Sequence, residues 1–208
     1  MSNTRLFGAV FLALSFFVFG CATPYKNIAI SRESTQPGWS VTGKGEARAL
    51  VGTPLAVGDR LPSVKLVDAM TMRDVDLSKT QGTVLFLSIV PSIDTKVCEA
   101  QTHYLGQKGD SMGRDVLRIT ISRDTPFAQQ RFAKKVHLTD LQFLSDYKQG
   151  EFGRSTGLLV KDSMLLARSV VRVDREGVVR YIQVVPELTH LPDMDRAFKE
   201  AVRLAESK

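Results

Sequence analysis

Three residues in the stretch PSIDTKVC have the types and spacing to do chemistry together: Pro91, Thr95 and Cys98. The sequence has two cysteines, and Cys98 is the one inside the polar-apolar body of the chain. The thiolate, not the thiol, is the nucleophile. A helix beginning at Thr95 puts Cys98 in its first turn, where unpaired backbone N–H groups favour a thiolate. Thr95 is placed to cap that turn and to offer its hydroxyl to a ligand or to the sulfur. Pro91 ends the preceding strand and gives the thiol a rigid wall. A thiolate attacking the O–O bond of a peroxide becomes a sulfenic acid and expels an alkoxide or hydroxide. Donors stabilise the charge on the departing oxygen: backbone N–H groups, the Thr95 hydroxyl and an arginine. Spacing alone does not separate Arg131, Arg168 and Arg172 for that last part. The competing reading makes Cys98 a small core residue, Thr95 a cap and Pro91 a strand terminator.

The elements around this stretch set its position. TVLFLSIVP, from Thr83 to Pro91, is continuously apolar, as a strand buried on both faces reads. From Thr95 the period changes, and Val97, Ala100, Gln101, Tyr104 and Leu105 share a helical face. Asp115 to Ser122 reads as a second buried strand. TPFAQQRFAKKV follows as a helix with Pro126 just inside its start and Asp124 or Thr125 as cap. LQFLSD is a short strand, and SVVRVDREGVVRYIQVV is two strands joined at DREG. The last segment is an amphipathic helix burying Met194, Ala197, Phe198, Ala201, Val202 and Leu204 or Ala205. ALVGTPLAV predicts an N-terminal hairpin about Gly52-Thr53. The order predicts an α/β protein with a thioredoxin-like fold: a central mixed sheet flanked by helices, with an N-terminal β-hairpin. Cys98 then lies at the C-terminal edge of the strands, where open α/β sheets bind ligands.

The 208 residues carry a net charge of +6, yet the longest basic run is the Lys134-Lys135 pair, without interleaved aromatics. Nucleic acid is therefore not an expected partner. His103, His137 and His190 are dispersed, so neither a metal nor another cofactor is expected. The N-terminus departs from the rest. Arg5 precedes an apolar run from Leu6 to Phe19, too short for a comfortable membrane span and suited to a secretory signal. Val18, Gly20 and Cys21 resemble the lipobox of bacterial lipoprotein signals, which implies that Cys21 is lipidated. The chain divides on this reading into a signal at 1–20, a flexible tether at 21–46 and a domain at 47–208.

Pro91, Thr95 and Cys98 match the P-x-x-x-T-x-x-C pattern of peroxiredoxins. FLSIVPSIDTKVCEAQ, ISRDTPFAQQRF and LLARSVVRVD together resemble the bacterial thiol peroxidase branch, and the resemblance extends from about Leu50 to Ala205. It implies that Cys98 is the peroxidatic cysteine, that Thr95 binds the peroxide and that Pro91 shields the sulfenic acid. Arg168 matches the family arginine beside the thiolate. A homodimer and alkyl or lipid hydroperoxide substrates are also implied.

The chain departs from that branch at one place. Its usual resolving cysteine, at the end of PFAQxRFC, is here Ala133. A one-cysteine cycle is therefore expected, with an external thiol, small or thioredoxin-like, as reductant. The alternative is a membrane-tethered redox sensor or binding module that kept the fold and lost turnover. A thiol-disulfide exchange centre is disfavoured by the missing C-x-x-C pair. The signal segment implies a membrane lipoprotein on the periplasmic side of the bacterial cell envelope. Ala22, in place of Asp after Cys21, permits sorting to the outer membrane.

Overall fold

The run Val84–Ile89 is buried at every position, and the main sheet is built around it. The computed structural model describes residues 27–108, 112, 115–138 and 140–206. In chain order the elements are β1 (Ser40–Gly43), β2 (Glu46–Val51), β3 (Leu66–Asp68), β4 (Asp74–Val75), β5 (Val84–Ile89), α1 (Lys96–Gln107), β6 (Val116–Ser122), α2 (Pro126–Val136), β7 (Gln142–Ser145), α3 (Glu151–Thr156), β8 (Leu159–Val160), β9 (Ser169–Val173), β10 (Val179–Val184) and α4 (Met194–Glu206). The larger sheet has seven strands in the order β10-β9-β5-β6-β7-β3-β4. β5, β6 and β7 run parallel, and β9 returns antiparallel along β5 with Ile89 opposite Ser169. This is the thioredoxin-like arrangement expected from the order of elements.

A strand between two layers must be apolar on both faces, and β5 is. Phe86 faces a layer built from α1, α2 and α4, with Leu105, Phe132, Ala197 and Phe198. Leu85, Leu87 and Ile89 face the opposite layer, with Phe152 of α3, Leu159 and Leu166. Tyr104 of α1 stacks on Phe198 of α4 with centroids 5.7 Å apart and donates its hydroxyl to Asp195. Burial, followed by that hydrogen bond to Asp195, pushes the Tyr104 phenol up to about 12. The helix layer therefore holds α1 against β5 along its length, which fixes where the first turn of α1 ends up.

The N-terminal hairpin lies earlier than its sequence suggested. β1 pairs with β2 through Lys44 and Gly45, both left-handed at φ 55° and 82°, the two-residue turn that suits strand twist. Gly52, where the turn was expected, instead passes so close to α3 that a Cβ there would lie 2.0 Å from the carbonyl oxygen of Arg154. β1 precedes the expected domain start at Ala47. Ile30 and Thr35 also bridge to Leu191 and Val184. Residues 27–46 are thus part of the folded body and not a flexible tether. The signal segment, Cys21 and residues up to 26 lie outside the described residues. α3 and β8 were not anticipated: six and two residues are too short to show a period.

Candidate active site

β5 delivers the chain to the C-terminal edge of the sheet, Pro91 turns it, and Thr95 opens α1 in an extended conformation at φ −117° and ψ 145°. Cys98 is the third residue of that helix, within the turn whose N–H groups have no intrahelical acceptor. Its side chain is 0% exposed. Arg168 stands just before β9. Because β9 runs antiparallel to β5, its start lies beside the end of β5, and so beside the Pro91–Cys98 loop.

The guanidinium is held at every nitrogen. Arg168 Nη2 donates to Cys98 Sγ at 3.3 Å, Nη1 to Gln101 Oε1 at 2.9 Å and Nε to the Leu188 carbonyl at 2.9 Å. Gln101 lies three residues beyond Cys98, hence on the same helical face. Its amide nitrogen donates to Ser88 Oγ of β5 at 2.9 Å and to the Ser169 carbonyl at 3.4 Å. The buried amide thus ties α1, β5 and β9 together around the arginine. A planar fork with fixed partners presents its charge to sulfur in one direction.

Arg172 and Arg131, which spacing could not set aside, have other places. Arg172 pairs with Phe86 in the middle of the sheet, its Cζ 2.9 Å from the ring centroid, and donates Nε to the Ala197 carbonyl. Burial pushes its guanidinium well below the usual range, opposed by the fields of Tyr181 and Glu200. Arg131 is exposed on α2 and lines a hollow with Ile93, Asp94 and Glu99 beside the Cys98 loop, whereas the guanidinium that reaches the sulfur is that of Arg168.

Two expectations are corrected in detail. Thr95 is the N-cap of α1, but its hydroxyl makes no capping hydrogen bond; it donates to the Ser92 carbonyl at 3.2 Å and is exposed. Asp124 is not the cap of α2, a role taken by Thr125. Its carboxylate reaches the Cys98 loop instead, accepting from the Ser92 hydroxyl at 2.7 Å and the Ile93 N–H at 2.8 Å. β5 and β6 are parallel neighbours, so their ends meet at the same edge, which makes this reach short. Pro91 is half-buried between β5 and this braced segment. Ala133 is buried in α2, and Cys98 is the free cysteine among the described residues. Among those residues no cluster of His, Cys, Asp or Glu is arranged to hold a metal, and no helix is long and apolar enough to cross a membrane. Cys21 lies outside them.

A buried thiol in the first turn of a helix, faced by an arginine at the entry to an adjacent strand of a thioredoxin-like sheet, defines an enzyme of the peroxiredoxin type. The redoxin family model matches residues 56–198. The thiol peroxidase of Halalkalibacterium halodurans is 36% identical over 163 residues, covering 78% of this chain and 96% of its own. That of Bacillus subtilis is 36% identical over 164 residues, covering 79% and 97%. A peroxiredoxin-like protein from Aquifex aeolicus superposes with a TM-score of 0.72 at 31% identity, covering 79% and 96%. The chain belongs to the redoxin family, among its thiol peroxidases.

Proposed function

We propose that this enzyme reduces hydrogen peroxide and alkyl or lipid hydroperoxides through Cys98, and that an external thiol regenerates it. The observation that carries this reading is the Arg168 Nη2 contact to Cys98 Sγ at 3.3 Å. In the first step the Cys98 thiolate attacks one peroxide oxygen. The O–O bond breaks, Cys98 becomes a sulfenic acid, and the other oxygen leaves and is protonated as alcohol or water. Arg168 faces the sulfur and the developing charge, a fixed donor that needs no reorganisation. The Thr95 hydroxyl, exposed at the helix start, turns from the Ser92 carbonyl to the peroxide. Pro91 walls the sulfenic acid.

Ala133 offers no thiol, so a second molecule completes the cycle. A thiol attacks the sulfenic sulfur, forming a mixed disulfide and releasing water. A second thiol then attacks the disulfide, freeing Cys98 and leaving with the first as an oxidised pair. A small thiol or a thioredoxin-like protein meets this need. A homodimer is proposed from the family. Lipidation at Cys21, anchoring in a membrane and a place on the periplasmic side of the bacterial envelope, with the outer membrane allowed by Ala22, are proposed from the N-terminal sequence.

A second reading draws on the total burial of the sulfur and on Ala133: a tethered redox sensor that is oxidised without turning over. Mass spectrometry of a Cys21→Ser chain, given one equivalent of peroxide under inert gas, tests the first step. A prompt gain of one oxygen, reversed by thiol and absent in a chain that also carries Cys98→Ser, is expected. An unchanged thiol would reject the peroxidase reading. Oxidation without sustained turnover on any thiol donor would favour the sensor.

A further inference from the structure

The C-terminal end of α2 carries a hollow that the chemistry above does not use. It measures about 410 Å³ and is lined by Met70, Ala133, Lys134, His137, Leu138 and Leu141. This lies within the range of ligand pockets. α2 starts beside Asp124 and spans eleven residues, roughly 16 Å along its axis, and Lys135 near its C-terminal end pairs with Glu99 of α1. The floor is apolar, with Ala133 and Leu141 buried and Leu138 half-buried. One wall is the turn after β3. The Gln130 amide donates to the Ala69 carbonyl at 2.5 Å and fixes that turn against α2, leaving Met70 48% exposed beside the hollow.

The rim is basic. Lys134 and His137 are both exposed, and both line the opening. His137 caps α2 in the left-handed conformation, at φ 53°, where glycine or asparagine is the ordinary choice. The neighbouring acidic groups have other partners: Asp140 is engaged by Arg118, and Glu99 by Lys135 and His103. Among the described lining residues there is no carboxylate. An apolar hollow with a cationic mouth suits an apolar chain that ends in an anion. A bare phosphate would leave the floor unused, and a neutral lipid would leave the mouth unused.

The geometry points to this hollow as a binding site for a long-chain carboxylate, its acyl chain over Ala133, Leu138 and Leu141 and its carboxylate between Lys134 and His137. Its lining includes neither Cys98 nor Arg168, and the site stands whether or not the peroxidase reading does. Ala133 gains a role from it: a small side chain there leaves the floor open.

Photolabelling tests the assignment on the full chain. Hexadecanoate carrying a diazirine near its methyl end is bound without vesicles, irradiated, and its adducts mapped by mass spectrometry. The expected adducts fall on the end of α2 and on Leu138 and Leu141, equally in Cys98→Ser. The matching hexadecanol probe should label these residues about fivefold less, and Lys134→Glu should cut labelling by about tenfold, the loss of one charge partner and its reversal. Ala133→Leu should cut it as far by filling the floor. If that variant does not fold by circular dichroism, the exposed Lys134 position decides alone. Adducts confined to the N-terminal apolar segment or spread over the surface would overturn the assignment. So would equal labelling by the alcohol or in Lys134→Glu. Labelling of α2 only when anionic vesicles are present would replace it with a bilayer contact.

Discussion

Gln101 Oε1 accepts from Arg168 Nη1 at 2.9 Å, on the guanidinium whose other terminal nitrogen reaches Cys98 Sγ. The same amide donates to Ser88 Oγ, and both side chains are 0% exposed. Gln101 is therefore a positioning residue that acts through Arg168. Gln101→Met keeps the volume and removes the amide's hydrogen bonds to Arg168, Ser88 and the Ser169 carbonyl. Second-order rate constants for Cys98 oxidation by peroxide, from stopped-flow fluorescence, are expected to fall by about 10–100-fold as Arg168 loses a fixed direction. The buried groups left unpaired should cost about 1–3 kcal/mol of stability, read from urea unfolding.

Arg168 itself should tolerate no cation in exchange. Its three donors serve the sulfur, Gln101 and the Leu188 carbonyl, in directions a planar fork provides and an ammonium does not. Arg168→Lys is expected to lose about 10²–10³ in the same rate constant, close to the loss in Arg168→Met. Near-normal oxidation of Arg168→Lys would show that charge alone suffices.

The Asp124 brace predicts slow alkylation of Cys98. Cys98 is 0% exposed, so an alkylating agent reaches it only when the Pro91–Thr95 loop moves. Asp124→Ala removes the acceptors of the Ser92 hydroxyl and the Ile93 N–H. Iodoacetamide alkylation of Cys98 should then quicken by about tenfold, with a stability loss of about 1–3 kcal/mol. Unchanged alkylation would mean that another contact holds the loop.

These contacts also show where sequence stops speaking. The strand Val84–Ile89 and the helix from Thr95 are legible because burial on two faces and a helical stripe leave different periods. Those two periods alone put Cys98 at the sheet edge. Gln101 showed as a polar residue on an apolar face, but its partners sit on two other strands. Asp124 before Thr125-Pro126 fits a helix cap locally, and its true contact lies 31 residues back across a parallel strand pair. Arg168 stands just before β9 and Arg172 four residues on within it, and only the antiparallel register of β9 on β5 sends one to the sulfur and the other to Phe86. The N-terminal hairpin was displaced because its turn uses Lys44-Gly45, while Gly52 serves a close approach to α3.

Glu187 supplies a pH-dependent tie for that hairpin. Burial opposes its ionisation, but donors outweigh it: the Gly45 N–H, the Thr189 hydroxyl and N–H, and the Thr42 hydroxyl hold the carboxyl down to about 2 from an ordinary 4.5. The Lys44 N–H also donates, at 3.0 Å. A folded-state value below the unfolded one means that the carboxylate stabilises the fold above about pH 4.5 and that this contribution is lost as pH falls toward 2. Glu187→Gln should lower the melting temperature at pH 7 by about 2–4 °C, and the gap to the unchanged protein should close on acidification. The partly exposed site limits the effect to that order. Amide exchange at Lys44 and Gly45 should quicken in the variant at pH 7, because their acceptor has lost its charge. A melting gap that stays constant down to pH 3 would mean that shape, not charge, holds the turn.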